Sequence, residues 1–408
     1  MPEPTASSRH LTTLLVLAYL GFISLGLPDA VLGVAWPSLR AAFSLPQAAL
    51  GAPLAALAVS YFLSGLAAGS LMRRVGLGAL LAGSTAIVTL AVAGFAAAPN
   101  LGVFLAAACI GGFGSGAIDA ALNAYVAHNF GARHMTWLHA AYSLGAALGP
   151  ALMTAVLARE AGWRTGYAVL AGALGVLAVA FVFTRRRWDE GAAPSAPDAA
   201  TSAAIAEPDA GPHVLRRPRM WLQLGFFLLY AGLEMSAGQW AFTVLTEARG
   251  LDEVQAGTRV SLYWASLLAG RVVLGFVVER VGPVLLVRLA TALAVLGAAL
   301  FALPGLPQGV AFAGLALLGF ALAPMYPVLM AETPRRMGSH AAHAVGFQVS
   351  AATAGIAVMP SLAGVLGQRL GLGAIPWFLV GIAVALALLH ETLVATVDRP
   401  GPPRSSPR

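Results

Sequence analysis

The chain is a succession of apolar segments, each long enough to cross a lipid bilayer. A membrane-spanning helix needs about 20 predominantly apolar residues. Charged residues make up only 10% of this sequence, whereas soluble domains carry roughly 25%. Twelve such segments can be delimited, at residues 11–35, 48–71, 77–97, 101–129, 136–158, 166–184, 221–246, 258–279, 282–303, 309–331, 341–367 and 372–396. The sequence therefore predicts an all-α polytopic membrane protein with twelve transmembrane helices.

One long polar stretch separates the sixth segment from the seventh. It is rich in Ala and Pro and poor in large apolar residues. Because it has little apolar surface to offset the entropy of ordering, we interpret it as a flexible linker, mobile from about residue 191 to 212. The predicted organisation is an N-terminal six-helix half (1–184), the linker (185–220), a C-terminal six-helix half (221–397) and a tail (398–408).

The arginines predict the orientation of the chain. All 24 basic residues are Arg; with the N-terminus inside, 17 fall on that side and six on the other, and Arg271 lies within a span. Short loops rich in basic residues face the cytoplasm, so both termini and the linker are predicted to be cytoplasmic. The positive net charge follows the ends of the spans and does not indicate a nucleic-acid partner. The Lys-free, Arg-rich composition favours a bacterial inner membrane.

The two halves are related by a weak internal repeat. A glycine and arginine pattern follows both span two and span eight, and further matches link spans one and seven and spans five and eleven. The matched pairs are Gly69 with Gly275, Arg74 with Arg280, Gly76 with Gly282, Gly145 with Gly355, Pro150 with Pro360, Asp29 with Glu234 and Gly33 with Gly238. Such symmetry is typical of transporters whose binding site lies near the membrane midplane, between the repeats.

This arrangement resembles the major facilitator superfamily. The resemblance rests on twelve spans in 6+6 form, the long central loop and the paired loop motifs. It implies two pseudo-symmetric halves, with spans 1, 4, 7 and 10 lining a central cavity. It also implies gating residues in and near the loops after spans two and eight, namely Gly69, Arg73, Arg74, Gly76, Arg271, Gly275, Glu279 and Arg280. Met72 and Arg73 stand where that family usually has an acidic residue.

Three carboxylates inside predicted spans qualify as candidate functional residues, namely Asp29, Asp119 and Glu234. A charged group facing lipid costs several kcal/mol, so such residues almost always face the interior of the helix bundle. Asp119 and Asn123 are one helical turn apart and share a face. We predict Asp29 and Asp119 as proton-coupling residues, because burial favours the neutral form of a carboxyl group. The alternative is that these residues form structural hydrogen bonds between helices.

Polar aromatic and amide side chains near these acids suit a ring-shaped polar ligand. Aromatic rings offer an apolar face, and hydroxyl and amide groups take the polar substituents. The predicted substrate-binding residues are Asn123, Tyr230, Glu234, Gln239, Trp240, Tyr263, Trp264 and Gln348. For the aromatic residues, the alternative is a belt at the membrane interface. Tyr326, within "APMYPVLM", indicates a helix bent by proline.

The strings "GSGAIDAALNAYVA", "WLHAAYSLGAALGP" and "YAGLEMSAGQW" resemble the fucose-permease-like branch of sugar symporters. That resemblance implies coupling and substrate roles for Asp29 and Asp119, although this branch has Glu rather than Asp in span four. We predict a monomeric secondary transporter that carries a sugar or similar small polar solute together with a proton, with sodium as an alternative ion.

Two other functions remain open from the sequence. One is proton-coupled efflux of drugs or other amphipathic compounds, and the other is a sensor or scaffold that has lost transport. The sequence has no P-loop, no metal-ligand cluster and no nucleophile motif. It therefore gives no support to an enzyme, a cofactor or a metal site.

Overall fold

The computed structural model describes residues 6–130, 132–190 and 214–397. The first half contains α1 (Ala6–Ala42), α2 (Gly51–Val75), α3 (Leu77–Ala97), α4 (Leu101–Asn129), α5 (Ala132–Leu157) and α6 (Gly162–Glu190). The second half contains α7 (Pro218–Thr243), α8 (Glu253–Val281), α9 (Pro283–Ala302), α10 (Gln308–Leu322), α11 (Met325–Met337), α12 (Ala341–Leu370) and α13 (Ala374–Val397). No strand occurs within these ranges, so the all-α prediction is confirmed. The predicted mobile stretch 191–212 and the tail lie outside the described residues.

Each of the twelve predicted spans corresponds to helical structure. Span ten consists of α10 and α11, which are separated at Ala323 and Pro324; this break agrees with the predicted bend. In the described ranges, ten segments are long and apolar enough to cross a membrane. Helices α7 and α8 are outside that set, and these are the helices that carry Glu234 and Arg271.

Close packing through glycine joins the same pair of helices in each half. In the first half, α1 and α5 meet so closely that a Cβ atom on Gly26 would lie 2.1 Å from the carbonyl oxygen of Tyr142. In the second half, α7 and α12 meet at Gly355, where a Cβ would lie 2.0 Å from the carbonyl oxygen of Leu228. Gly355 is the repeat partner of Gly145, which lies at the α1–α5 contact. The sequence repeat therefore corresponds to a repeat in helix packing, as small residues allow in membrane bundles.

A second glycine contact is also repeated. A Cβ on Gly116 of α4 would lie 2.2 Å from the carbonyl oxygen of Tyr61 in α2. In the second half, a Cβ on Gly319 of α10 would lie 2.5 Å from the carbonyl oxygen of Tyr263 in α8. In each half, a glycine of the fourth span thus meets the backbone of a tyrosine in the second span.

We expect Gly26→Ala to lower the thermal stability of the purified protein. The added methyl group must push α1 away from α5, and overpacking of this kind costs about 1–3 kcal/mol. Gly65→Ala and Gly83→Ala are matched controls, because nothing lies within 4 Å of a Cβ at either helical position. The measurement is the melting temperature in detergent. Equal effects at all three positions would contradict a special role for the α1–α5 contact.

The two halves contact each other through polar groups at the end of the bundle where α1 terminates. Arg40 Nη2 donates to both carboxylate oxygens of Glu247, at 3.0 and 3.1 Å. Gln47 Nε2 donates to Glu247 Oε2 at 2.8 Å. We call Arg40, Gln47 and Glu247 the distal contact. Further hydrogen bonds between the halves lie near the middle of the bundle, at Gln239 and Arg271.

Backbone packing closes the bundle beneath the distal contact. A Cβ on Gly33 of α1 would lie 2.7 Å from the Cα of Gln239 in α7. A Cβ on Gly257 of α8 would lie 1.8 Å from the hydroxyl oxygen of Thr154 in α5. The halves are therefore in van der Waals contact at the distal end.

We expect Glu247→Gln to increase the fraction of molecules that open at the distal end. A partly exposed ion pair contributes up to about 1 kcal/mol, which corresponds to about a fivefold change in population. The distance between spin labels at Ala158 and Val254, in a Cys109→Ser background, measures this opening. Glu391→Gln is the control, because Glu391 pairs with Arg288 at 2.6 Å within one half. An unchanged distance distribution in Glu247→Gln would contradict this role of the distal contact.

Candidate functional site

A group of polar side chains lies inside the bundle, where α1, α2, α4 and α5 meet α7, α8 and α11. We call this group the central cluster. Its members are Asp29, Tyr61, Asp119, Asn123, Tyr142, Tyr230, Glu234, Arg271 and Tyr326. The cluster combines residues of both halves, as expected for a site at a repeat interface.

Asp29 is held by a tyrosine of its own half and by an amide of the other half. The phenolic hydroxyl of Tyr142 on α5 donates a hydrogen bond to Asp29 Oδ2 at 2.9 Å. Gln239 on α7 donates from Nε2 to the backbone oxygen of Asp29 at 2.7 Å. Asp29 follows Pro28, which lies inside α1. Because proline has no backbone N–H, the helix lacks one hydrogen-bond donor at this point. Asp29 is therefore half-buried at the boundary between the halves.

Asp119 is held by neutral groups. Asn123, one turn later on α4, donates from Nδ2 to Asp119 Oδ1 at 3.2 Å and to its backbone oxygen at 3.0 Å. The phenol of Tyr61 on α2 also hydrogen-bonds to the carboxyl group. Asp29 and Asp119 lie close enough to interact electrostatically. The close approach of α2 and α4 at Gly116 brings Tyr61 to this position.

The three acids differ in charge compensation. In the described residues, no arginine or histidine lies within 4.0 Å of the carboxylate of Asp29 or Asp119. Glu234, in contrast, lies 3.6 Å from Nη2 of Arg271, measured from Oε1. Tyr230 donates a hydrogen bond to the other oxygen of Glu234. The cluster thus contains two carboxylates with neutral partners only and one that is paired with a cation.

Arg271 links the two halves at the centre of the bundle. Its Nη1 donates to the hydroxyl of Ser143 on α5 at 2.5 Å and to the backbone oxygen of His139 at 3.4 Å. We predicted Arg271 among the gating residues near the loop after span eight. The structure instead places its side chain in the central cluster, because α8 continues to Val281. Arg271 lies ten residues before the end of α8, which corresponds to about 15 Å along the helix axis.

We expect Arg271→Gln to destabilise the protein more than the double variant Glu234→Gln/Arg271→Gln. Removing one partner of a buried ion pair leaves an uncompensated charge, which costs about 3–5 kcal/mol when burial is complete and less at a partly solvated site. The melting temperatures of the wild type, both single variants and the double variant form a double-mutant cycle. Additive effects would contradict an energetic link between the two residues.

Several predicted substrate-binding residues pack beside the central cluster and contact its backbone rather than its carboxylates. Gln239 is fully buried and holds the Asp29 backbone. Tyr263, also fully buried, donates to the backbone oxygen of Glu234 at 2.8 Å. Trp264 packs edge-on against Tyr263, with ring centres 5.2 Å apart. Gln239 and Tyr263 thus hold the backbone beside two of the carboxylates, while Oε1 of Gln239 and Nε1 of Trp264 have no hydrogen-bond partner in the described residues.

Two other predicted residues lie apart from the cluster. Gln348 is fully buried; it donates to Oε1 of Gln223 at 2.7 Å and accepts from the hydroxyl of Thr333 at 3.0 Å. This network joins α7, α11 and α12. Trp240 is also fully buried, and its Nε1 donates to the backbone oxygen of Pro360 at 2.9 Å. We do not include either residue in the proposed substrate site.

The predicted gating loops have matched backbone conformations. Gly76 ends α2 with φ +86° and Gly282 ends α8 with φ +82°, a conformation that favours glycine. Gly69 is buried within α2, whereas Arg73, Arg74 and Arg280 are exposed. The side chain of Glu279 and the surroundings of Gly275 lie outside the described residues.

An acidic residue from elsewhere in the chain reaches the first of these loops. Oδ1 of Asp189, near the end of α6, accepts a hydrogen bond from the backbone N–H of Gly78 at 3.0 Å. It thereby caps the first turn of α3, where a carboxylate also interacts favourably with the helix dipole. The loop thus receives a carboxylate from α6, although Met72 and Arg73 occupy the positions where an acid was expected.

The sequence analysis missed three members of the cluster, together with Ser143, which accepts a hydrogen bond from Arg271. Tyr142 and Ser143 lie within the string "WLHAAYSLGAALGP", which we used only for the family resemblance. Tyr61 lies in an apolar run whose polar residues near it are the serines Ser60 and Ser64, and we drew no prediction from them. Tyr326 was read only as a sign of a bent helix; it interacts electrostatically with Asp119, Glu234 and Arg271.

Comparison with known proteins defines the class of this fold. A sequence profile of the Major Facilitator Superfamily matches residues 18–348. The chain belongs to this superfamily, and it is therefore a multi-pass membrane transporter of small molecules rather than an enzyme. The prediction of a twelve-helix fold in this family is confirmed.

Solved structures of the same fold cover nearly the whole chain. The nucleoside transporter NupG superposes with a TM-score of 0.75 at 13% identity, over 93% of this chain and 98% of that one. The D-xylose-proton symporter gives 0.70 at 20% identity, over 93% and 97%. The E. coli fucose:proton symporter FucP gives 0.62 at 15% identity, over 94% and 99%. At these identities the likeness concerns the fold alone.

A curated relative matches part of the chain. The Saccharomyces cerevisiae protein "Bypass of stop codon protein 6" is 31% identical over 193 residues. The match covers 44% of this chain and 38% of the yeast protein. The chain thus spans well under half of that relative's length.

Proposed function

We propose that the protein is a proton-coupled symporter of a sugar or a similar small polar solute. The observation that carries this proposal is the pair Asp29 and Asp119. The two carboxyl groups lie close enough to interact, and in the described residues each is held by neutral donors. They lie at the junction of two halves that must move relative to each other in alternating access.

The chemistry of this pair favours proton uptake. Two ionised carboxylates in a site of low dielectric repel each other, and each lacks the solvation that water would give. A proton on either group removes the repulsion and the desolvation cost of that group. A sodium ion would also compensate the charge, so the coupling ion has to be determined by varying each gradient separately.

The half-buried tyrosines of the cluster suit a polar ring. Tyr61, Tyr142 and Tyr326 are each partly accessible, and each offers an aromatic face beside a hydroxyl group. A sugar ring has an apolar face and a rim of hydroxyl groups, which match these two features.

Binding and protonation can act on the contact between the halves. The Asp29 carboxyl group bonds to Tyr142 in the first half, and the Asp29 backbone bonds to Gln239 in the second. Arg271 forms a second central bridge, to Ser143. A change in the charge or position of Asp29 therefore alters groups on both sides of the interface. Such differential contacts are what a ligand needs in order to shift a conformational equilibrium.

The proposal includes the setting in which the transporter works. We place it as a monomer in the cytoplasmic membrane of a bacterium, with both termini and the linker in the cytoplasm. The six-helix halves 1–184 and 221–397 are the two moving units. The arginine distribution supports this orientation, which places the distal contact on the outer side.

We expect Asp29→Asn or Asp119→Asn to abolish proton-driven accumulation while solute exchange at equilibrium continues. Asn keeps the shape and hydrogen bonds of the acid but cannot gain or lose a proton. One pH unit is worth about 1.4 kcal/mol per proton, so it supports up to about tenfold accumulation at one proton per solute. A variant that has lost proton coupling should bring the internal solute only to about the external concentration. The measurement is uptake of labelled L-fucose, D-xylose and uridine into proteoliposomes, with an internal pH dye.

Glu253→Gln is the matched control, because Glu253 is an exposed acid at the start of α8. It should accumulate solute as the wild type does. Proton coupling through this pair is ruled out if both Asn variants accumulate solute with unchanged pH dependence. Proton-driven export of an amphipathic dye, without uptake of any of the three solutes, would favour the efflux interpretation instead.

A further inference from the structure

Four buried polar side chains between the central cluster and the distal contact carry atoms without a hydrogen-bond partner in the described residues. They are Thr154 on α5 and Ser236, Gln239 and Thr243 on α7, each at most 5% exposed. The atoms are the three hydroxyl oxygens and Oε1 of Gln239. Burying such an atom unpaired costs free energy, and native structures seldom do so without a reason. We call these four residues the distal polar group.

The members of this group on α7 lie at the boundary with the first half. Gln239, Thr243 and Glu247 follow each other about one helical turn apart, so they share one face. This face meets α1 at both ends, because Gln239 packs against Gly33 and Glu247 pairs with Arg40. Thr243 lies between these two contacts and therefore faces α1.

Thr154 lies at a second boundary between the halves. A Cβ on Gly257 of α8 would lie 1.8 Å from the Thr154 hydroxyl oxygen, so α5 and α8 touch there. Within the second half, in contrast, the buried amides of Gln223 and Gln348 bond to each other at 2.7 Å. Buried polar atoms are thus paired inside that half and unpaired where the halves meet.

The unpaired atoms make the closed distal end a poor permanent interface. When the distal end opens, α1 must separate from α7 and α5 from α8, and the polar atoms regain partners. All four side chains are uncharged, and hydroxyl groups both donate and accept hydrogen bonds. A neutral solute with several hydroxyl groups has the same combination of donors and acceptors.

We propose that the distal polar group is an outer binding site for a neutral polyhydroxylated solute, formed when the distal end opens. The solute binds here on its way to the central cluster. This inference rests on the proposed transport function and adds a second place along the path where the solute is held. Because the group is paired only in the open state, solute that binds it lowers the free energy of that state relative to the closed one.

The first test measures the reaction of Thr243→Cys with a charged methanethiosulfonate reagent, in purified full-length protein that also carries Cys109→Ser. Thr243 is fully buried while the distal end is closed, so the reaction requires opening. Adding Glu247→Gln should raise the rate about fivefold, because the open population rises when the ion pair is lost. Among L-fucose, D-xylose and uridine, a solute that the wild type transports should slow the reaction about tenfold at about ten times its apparent Kd.

Thr85→Cys is the matched control for this reaction. Thr85 is 1% exposed and lies within α3 of the first half. It should stay unreactive with or without Glu247→Gln. If Thr243→Cys does not fold, Thr154→Cys is measured in its place.

The second test uses Thr243→Val in the Glu247→Gln background, with the spin labels at Ala158 and Val254. Valine keeps the shape of threonine but removes the unpaired hydroxyl, so the population should shift about fivefold toward the closed distal end. Thr85→Val is the control, because the Thr85 hydroxyl donates to the backbone oxygen of Leu81 at 2.8 Å. It should leave the distance distribution unchanged.

Three results would overturn the proposal. One is an unreactive Thr243→Cys in molecules whose spin labels report an open distal end. Another is a reaction that no transported solute slows, and the third is a Thr243→Val variant that does not shift toward the closed state. If the wild type takes up none of the three solutes in proteoliposomes, the proposed function is contradicted instead, and the cysteine reaction and the distances still decide whether this group opens to the solvent.

Discussion

The structure depends on the cost of placing charged groups in hydrocarbon. Three acids and an arginine of the central cluster lie inside the helix bundle, and lipid cannot solvate any of them. All four lie where the two halves meet, at Asp29, Asp119, Glu234 and Arg271. The halves must therefore approach each other there, and Gly33 allows the backbone of α1 to approach that of α7 at Gln239. Close packing and the polar interior are consequences of the same constraint.

The two halves share their packing but differ in their electrostatics. Asp29 and Glu234 occupy corresponding positions in the repeat. The second half supplies Arg271 to Glu234, whereas the first half supplies the neutral phenol of Tyr142 to Asp29. A fixed ion pair has no need of an external cation, but an uncompensated carboxylate does. In the function that we propose, proton exchange belongs to the first half, whereas the ion pair of Glu234 and Arg271 belongs to the second.

Contacts between the halves are unevenly distributed along the bundle. Arg40, Gln47 and Glu247 join them at the distal end, and Arg271 and Gln239 join them near the middle. The central groups are also those that a solute or proton would disturb. Loss of the central bonds would leave the distal contact to hold the halves together, which explains why partly exposed ion pairs there can influence a large movement.

The sequence by itself determined the class of fold, because apolar length and the repeat of glycines and prolines depend on local spacing. It also identified Asp29, Asp119 and Glu234, since the cost of a buried charge is visible in any apolar run. Only the tertiary structure decided which partner each acid received. Tyr61 and Tyr142 come from other helices, Gln348 turns toward Gln223, and Arg271 lies well inside α8. Such pairings depend on helix rotation and depth, which a single sequence does not specify because many rotations bury similar apolar area.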